Sequence, residues 1–400
     1  MNVCIWSSSS FEEWYSSYHL MLKLIQEIIS AGHEVWLVQY QRKDGRLPEE
    51  LVHEDRLHII NIYQKAIDRG DFIKRYIDSF YYFISSGKEI KKLKDIDVIF
   101  LQSNNTAIIP IIFARRLHIP ILYNVQDIFP IDALAIGKLS KWHPAFIIAR
   151  KLQAKAYEKA DRVVTISEDL KKTIRDEGRQ DVDVVYNWSY QNEPYNIPDE
   201  ENHFLTSNGI RREDGFRVIY AGNVGQMMES EMIVQVAKLI SGYSDIKFYI
   251  IGEGSGLKEL KTRLEEEELR NVLFYPRQPM EYAKDNYCAA DVNINPVPKG
   301  VIYTCMPSKT ATCLLSEQPT VVSMDLESDM AKKLSSVDQW TVVASGNAKA
   351  MAAAILKVYE QGSRKSKNAA QFLSELGPIE NAKQYVRMLE ETGKKYRNKE

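Results

Sequence analysis

At 400 residues and 46.1 kDa the chain is too long for one ordinary core, which predicts two domains and a linker. Hydrophobic residues make up 44% and charged residues 26%, and Lys+Arg 52 against Asp+Glu 54 excludes nucleic-acid binding through a broadly basic surface. The longest apolar run, Thr106 to Ala114, is far short of the roughly 18–20 residues that span a bilayer, and the N-terminus lacks the cationic start and cleavage site of a signal peptide, so a cytoplasmic protein is expected.

Short β-branched runs alternate with helix-length amphipathic segments along almost the whole chain. Asn2–Trp6 reads as a strand and Ser16–Ala31 as a helix, with Leu20, Leu24, Ile25 and Ile28 at helical spacing and Gly32 closing it. Strands follow at His33–Gln39, Leu57–Ile62, Asp97–Gln102, Ile121–Val125, Arg162–Ile166 and Asp183–Tyr186. They are apolar on both faces, the pattern of a parallel sheet covered by helices on each side. The polar, proline-containing stretch Asn192–Gly215 interrupts the alternation. It resumes with strands at Phe216–Tyr220, Ile246–Ile251, Val272–Phe274, Val292–Ile294, Thr320–Val322 and Trp340–Val343, and with helices that include Glu231–Ile240 and Ala348–Gln361. The order predicts an α/β protein of two Rossmann-like domains facing across a cleft. They occupy residues 1–195 and 216–378, joined by 196–215, and a last helix over Ile379–Lys395 returns 379–400 to the first domain.

In open parallel sheets ligands bind beyond the carboxyl ends of the strands, so the turns there carry the candidate sites. Tyr220-Ala221-Gly222-Asn223-Val224-Gly225 follows the first strand of the second half. Its glycines either admit an anion to the backbone amides or simply make a strand-to-helix turn. Ile251-Gly252-Glu253-Gly254-Ser255-Gly256-Leu257 superficially matches a dinucleotide fingerprint, but Leu257 replaces the third glycine, so it points rather to a flexible turn beside a nucleotide. Pro307-Ser308-Lys309 opens a helical segment over Thr310–Ser316. A lysine there adds a full charge to the helix dipole and suits a diphosphate, the alternative being an exposed lysine at a cap. Cys4, Cys288, Cys305 and Cys313 form no CxxC pair and no metal-ligand spacing, and are expected as reduced thiols. The two DxD triplets, Asp95-Ile96-Asp97 and Asp181-Val182-Asp183, precede strands, where polar turns lie, rather than ending them as an Mg²⁺-diphosphate site would; no metal and no cofactor is expected.

A series of motifs runs through nearly the whole chain: GHEV (Gly32–Val35), NVQDIFP (Asn124–Pro130) with Ala135-Ile136-Gly137, ADRVVTISEDLK (Ala160–Lys171), VVYNW (Val184–Trp188), YAGNVG (Tyr220–Gly225), IIGEG (Ile250–Gly254), AADVNINPVPKG (Ala289–Gly300) and PSK (Pro307–Lys309). In this content and order the chain resembles glycosyltransferase family 4, the retaining, nucleotide-sugar-dependent enzymes of GT-B fold, and within it the WbuB-type capsule and O-antigen transferases of bacteria. The resemblance implies a nucleotide-sugar in the C-terminal domain and an acceptor in the N-terminal one. It assigns Lys309, Ser308 and the amides of Gly222, Asn223, Val224 and Gly225 to the diphosphate, whose charge develops as the anomeric bond breaks. Asn223 stands where the family often has an arginine; Arg277, in FYPRQP, either replaces that charge or is a solvated loop residue. Gly252, Glu253 and Gly254 would flank the nucleotide. The two glutamates usual in the family are Thr304 and Thr312 here, which can still hydrogen-bond hydroxyls of the nucleotide or sugar. Asp127 would serve the acceptor, orienting or deprotonating the attacking hydroxyl, with Gln126 where many relatives have histidine; a helix-capping aspartate is the other reading of Asp127.

The resemblance further implies a UDP-linked N-acetylated sugar as donor, UDP-N-acetyl-L-fucosamine fitting the subgroup, and an undecaprenyl-diphosphate-linked sugar as acceptor. That acceptor would bring the enzyme to the cytoplasmic face of the inner membrane. Phe72–Leu93, where Phe72, Tyr76, Phe80, Tyr81, Tyr82 and Phe83 interleave with Lys74, Arg75, Lys88, Lys91 and Lys92, fits either an interfacial surface or a core-packed helix with a basic end. The loops Gly300–Met306 and Ser7–Tyr18 are expected to set specificity. Two other functions share the fold: a non-hydrolysing nucleotide-sugar 2-epimerase, which needs an acidic and histidine cluster that seven scattered histidines do not suggest, and a catalytically silent binding or scaffold subunit, to which the missing glutamates point.

Overall fold

The apolar runs fold as strands because each can bury both faces while its backbone groups pair with strands on either side. The structure, a computed structural model, describes residues 1–11, 17–41, 48–63, 72–93, 95–102, 106–137, 139–225 and 227–397. It divides into two compact units: Met1–Asn187 with Thr304–Met306 and Ile379–Glu400, and Trp188–Tyr303 with Pro307–Pro378.

The first unit carries β1 (Asn2–Trp6), β2 (Glu34–Gln41), β3 (Leu57–Tyr63), β4 (Val98–Gln102), β5 (Ile121–Val125), β6 (Arg162–Thr165) and β7 (Asp183–Val184). They form one parallel sheet in the order β3-β2-β1-β4-β5-β6-β7. β1 lies between β2 and β4, with Ile5 opposite both Leu37 and Phe100, and its residues from Val3 to Trp6 are fully buried. β7 is shorter than the run Asp183–Tyr186 and is an edge strand: Val185 still donates to the Thr165 carbonyl at 2.9 Å, and among the described residues no strand pairs on its outer side. Helices Phe72–Ile90, Ile108–Arg116 and Pro144–Lys159 pack side by side on one face; Tyr18–Ser30 and Asn381–Arg397 pack together on the other. The last helix is tied down by polar bonds as well as packing. Asn381 Nδ2 donates to Tyr186 O (2.9 Å), Tyr385 Oη to Asn124 Oδ1 (3.0 Å), and His33 Nε2 lies 2.9 Å from Glu390. Ser167, in the SEDLK run, caps the helix Glu168–Asp176 by accepting from Leu170 N at 3.1 Å.

The second unit repeats the plan with β8 (Phe216–Ala221), β9 (Ile246–Ile251), β10 (Val272–Tyr275), β11 (Val292–Pro296), β12 (Thr320–Met324) and β13 (Trp340–Ala344), in the order β10-β9-β8-β11-β12-β13. In each sheet the strand order reverses once, between β1 and β4 and between β8 and β11, and the crevice beyond such a reversal is where a ligand finds free helix N-termini. The helix Ser230–Leu239 covers the second sheet through Met232, Ile233, Val236 and Ala237.

The stretch expected as a linker is not loose. Residues 196–215 contain the helix His203–Ser207, whose Phe204 and Leu205 are buried, and Asn202 Nδ2 donates to the Asp285 carbonyl at 2.8 Å. Asp199 also accepts from Arg217, so the stretch is an integral part of the second unit, whose first residue is Trp188. Its polar composition combines solvent-exposed side chains with two ion-pair anchors, Asp199 and Arg212.

Candidate functional site

The site in the second unit begins where β8 runs out. Lys309 is the first residue of the helix Lys309–Ser316, whose N-cap Ser308 makes no side-chain cap bond; Thr310 N donates to the Pro307 carbonyl (3.1 Å), and the positive end of the dipole remains beside the lysine. The lysine amine sits 3.8 Å from the centroid of the Tyr220 ring and 3.2 Å from where a β-carbon on Gly222 would be. Among the described residues no carboxylate lies within ion-pair distance of it. The ring offers weak compensation for a half-buried ammonium, and the lost hydration pulls its pKa from 10.5 down to about 7. An anion is the partner this amine lacks.

Tyr220, absent from the sequence expectations, holds the site together. Its ring carries the amine, and its hydroxyl donates to the Asn223 carbonyl at 2.7 Å, which fixes the Gly222–Gly225 turn. The only signal available in the sequence was an aromatic residue ending a strand directly before the turn.

The four turn amides are not equivalent. Gly222 N donates to Ile251 O (2.9 Å) and Val224 N to Glu253 O (2.8 Å), so these two are engaged by the turn after β9. The amides of Asn223 and Gly225 donate to no described backbone group; Asn223 is exposed and its amide is open to a ligand, whereas Gly225 is buried. Gly252 and Gly254 prove to be packing glycines. At φ +153° and +156°, a β-carbon on Gly252 would lie 1.9 Å from the Gly222 carbonyl oxygen, and one on Gly254 2.2 Å from that of Val224. Their lack of a side chain lets one turn stack on the other. Gly252→Ala is therefore expected to push the turns apart, destabilising the protein by about 2–3 kcal/mol and weakening nucleotide binding at least tenfold, roughly the cost of forced overpacking plus backbone strain. Thermal melting and calorimetric titration with UDP check both. Glu253 and Arg277 are exposed at the same carboxyl edge, Arg277 beyond β10, two strands from β8.

In the first unit, Asp127 lies just past β5. It does not cap a helix: the following helix, Ile131–Ala135, has Pro130 at its N-cap, and Asp127 instead forms an isolated antiparallel bridge with Cys305. Ile128 N donates to Thr304 O at 2.8 Å. Thr304 is thus buried in the first unit, whereas Thr312 is on the Lys309 helix of the second. The main-chain pairing of residues 304–306 with the turn after β5 is what sets Thr304 there. The Asp127 carboxyl is reachable by solvent yet ringed closely by protein, and the lost hydration pushes its pKa up to about 6. Gln126 beside it belongs to a chain of side-chain bonds, accepting from Asn187 Nδ2 (2.8 Å) and donating to Asn124 Oδ1 (3.3 Å). Of the two DxD triplets, Asp97 accepts from Asn2 N (2.8 Å) and Asp183 pairs with Arg162 (2.7 Å). Residues 12–16 of the Ser7–Tyr18 loop, and the side chains of Phe72, Lys74, Arg75 and Tyr76, lie outside the described residues.

Two parallel sheets of this strand order, with a lysine that has no ion-pair partner among the described residues beyond the second reversal point, define a two-domain α/β protein of the GT-B class. Two family models match the sequence, Glycosyltransferase Family 4 over residues 19–188 and Glycosyl transferases group 1 over residues 215–361, and the chain belongs to glycosyltransferase family 4. It is 25% identical over 211 residues to the probable glycosyltransferase WbjE of Pseudomonas aeruginosa, covering 52% of each chain. It is 21% identical over 214 residues to WcaI of Escherichia coli (strain K12), a glycosyl transferase named for colanic acid biosynthesis, again covering 52% of each. The chain thus spans about half the length of the curated relatives it matches. Among solved structures, Anabaena HepE in complex with UDP and glucose superposes with a TM-score of 0.70 at 12% identity, over 98% of this chain and 100% of that one. The lipopolysaccharide outer core galactosyltransferase WaaB gives 0.61 at 12% identity, over 96% and 98%.

Proposed function

We propose that the protein transfers a sugar from a UDP-sugar, with retention at the anomeric carbon, to a lipid-linked or saccharide acceptor in the making of a bacterial surface polysaccharide. The observation that carries this is the Lys309 amine, held over Tyr220 beside the open amide of Asn223 and a helix N-terminus, with no carboxylate partner among the described residues. Those groups suit a diphosphate before the reaction and, more strongly, the charge that builds on it as it leaves. A cationic side chain in that place performs the service a metal ion performs elsewhere, so activity is expected to persist in a chelator. The UDP in HepE and the polysaccharide names of WcaI and WaaB support the same donor and pathway class. An N-acetylated sugar such as N-acetyl-L-fucosamine as donor, and an undecaprenyl-diphosphate-linked acceptor at the inner face of the membrane, extend the reading.

Asp127 is the acceptor-side group in this scheme. With its pKa near 6 it is ionised at neutral pH and can take a proton from, or orient, the attacking hydroxyl. Asp127→Asn is expected to lower the turnover rate by about 10²–10⁴-fold with little change in UDP affinity, and to remove the fall in activity on acidification through pH 6. Acceptor-dependent UDP release, followed by coupled assay, measures this. UDP release at wild-type rate from the variant would remove Asp127 from the mechanism, and no release by the wild type with any acceptor would favour a silent binding subunit.

A further inference from the structure

We infer that the start of the helix Pro144–Lys159, with the turn leading into it, is a docking surface for an anionic lipid bilayer. Between Asp132 and Glu158 the sequence contains no acidic residue but does contain Lys138, Lys141, Arg150, Lys151 and Lys155, in a chain whose acids outnumber its Lys and Arg. Trp142 is 76% exposed, yet the turn that displays it is held in place. Trp142 N donates to Ser140 Oγ (3.3 Å), His143 N to Ser140 O (2.9 Å), and His143 Nδ1 accepts from Ala145 N (3.2 Å). An indole is therefore kept in water by a built structure rather than by a loose end.

The helix that follows is two-sided. Phe146, Gln153, Ala156 and Tyr157 are buried, while Ile147 and Ile148, the latter 59% exposed, point outward with Lys151 and Lys155. Outward positions of a soluble helix are ordinarily polar. Glu177 neutralises Arg150 at 2.8 Å, but among the described residues Lys141, Lys151 and Lys155 have no acidic partner. Apolar residues and a tryptophan at the tip, with surplus lysines behind, match a headgroup layer with negative charge: the indole sits at the interface and the ammonium groups meet anionic lipid.

The neighbouring helices brace this one: Arg115 Nη1 donates to Lys159 O (3.2 Å), and Ser79 Oγ bonds Thr106 Oγ1 (2.9 Å). On the helix Phe72–Ile90, Phe80 and Tyr81 are exposed, whereas Tyr82 and Phe83, which the sequence grouped with them, are core residues. The docking surface stands independently of the donor site, and its use in catalysis rests on the proposed function.

The test is flotation of the full chain with phosphatidylcholine vesicles with and without phosphatidylglycerol, at low and high salt. Wild type should float only with the anionic vesicles, and less at high salt. With each basic residue near an anionic surface worth about fivefold, the combined variant Lys141→Glu, Lys151→Glu, Lys155→Glu should partition at least roughly a hundredfold less. Trp142→Ser with Ile148→Ser should also abolish flotation, and both variants should keep the wild-type thermal shift with UDP, which separates this surface from the donor site. Wild type that ignores anionic vesicles, variants that float like wild type, or a change of solution mass in the Trp142→Ser, Ile148→Ser variant, marking a protein–protein surface, would overturn the inference.

Discussion

Lys309→Met should weaken UDP binding about 100-fold while leaving the chain folded. The methionine keeps most of the stem over Tyr220 but removes the ammonium, and a hydrogen bond to a charged group contributes about 1.5–3 kcal/mol, more with its unshielded Coulomb attraction to a diphosphate. The pH dependence gives the prediction its sign. In the empty site the amine titrates at about 7, so it is only partly charged at neutral pH. A bound anion favours the charged form and raises that pKa, so UDP binding takes up a proton and affinity falls as pH rises above 7. Titrations in buffers of different ionisation enthalpy read the proton directly, and the methionine variant should show neither the uptake nor the slope. Stability moves the other way. The unfolded lysine holds its proton up to its ordinary 10.5, so between 7 and 10.5 the unfolded chain binds more protons, and the empty protein becomes more stable as pH rises through that window. Without ligand the variant should melt higher than wild type below pH 7, as expected where a binding group is held at a cost to the fold.

Arg217→Ala should produce the largest loss of stability, about 3–5 kcal/mol, because it leaves buried charge without its partner. Arg217 is 1% exposed. Its main-chain N donates to Asp291 Oδ2 at 2.8 Å, its Nε lies 3.3 Å from the same oxygen, and its Nη1 is 2.9 Å from Asp199. Asp291, itself buried, keeps the main-chain N–H of residue 217 and the exposed Arg212 at 2.7 Å but loses its buried guanidinium, and Asp199 loses its 2.9 Å partner. Arg212→Ala removes an exposed partner and leaves Asp291 paired with Arg217, so it should cost less than about 1 kcal/mol. Denaturant unfolding of the two variants gives the contrast, and equal losses would mean that the buried guanidinium is not the keystone of the second unit.

The strands were legible because a parallel strand covered on both faces leaves an unbroken apolar run, and β1, β5 and β9 fall on the residues read as strands. The 196–215 stretch was misread for a physical reason: its anchors are ion pairs from Asp199 to Arg217 and from Arg212 to Asp291, and charged residues in sequence look solvated whether or not they find partners. Lys309 was legible through its place at a helix start. Tyr220 was not, since the ring and the amine meet only once β8 and the Lys309 helix have been brought together from 89 residues apart in the chain. Which turn amides are open was equally hidden, because Gly222 and Val224 are engaged by a second turn some 30 residues further on. The main-chain bonds that draw residues 304–306 to Asp127 were equally hidden, since they join segments far apart in the sequence.

The most direct measurement is the electron density of crystals soaked with UDP. The diphosphate is expected beside the Lys309 amine, at the N-terminal end of the Lys309 helix, with an oxygen accepting from the amide of Asn223. UDP ordered anywhere else on the chain, with Lys309 still resting on Tyr220 alone, would contradict the account.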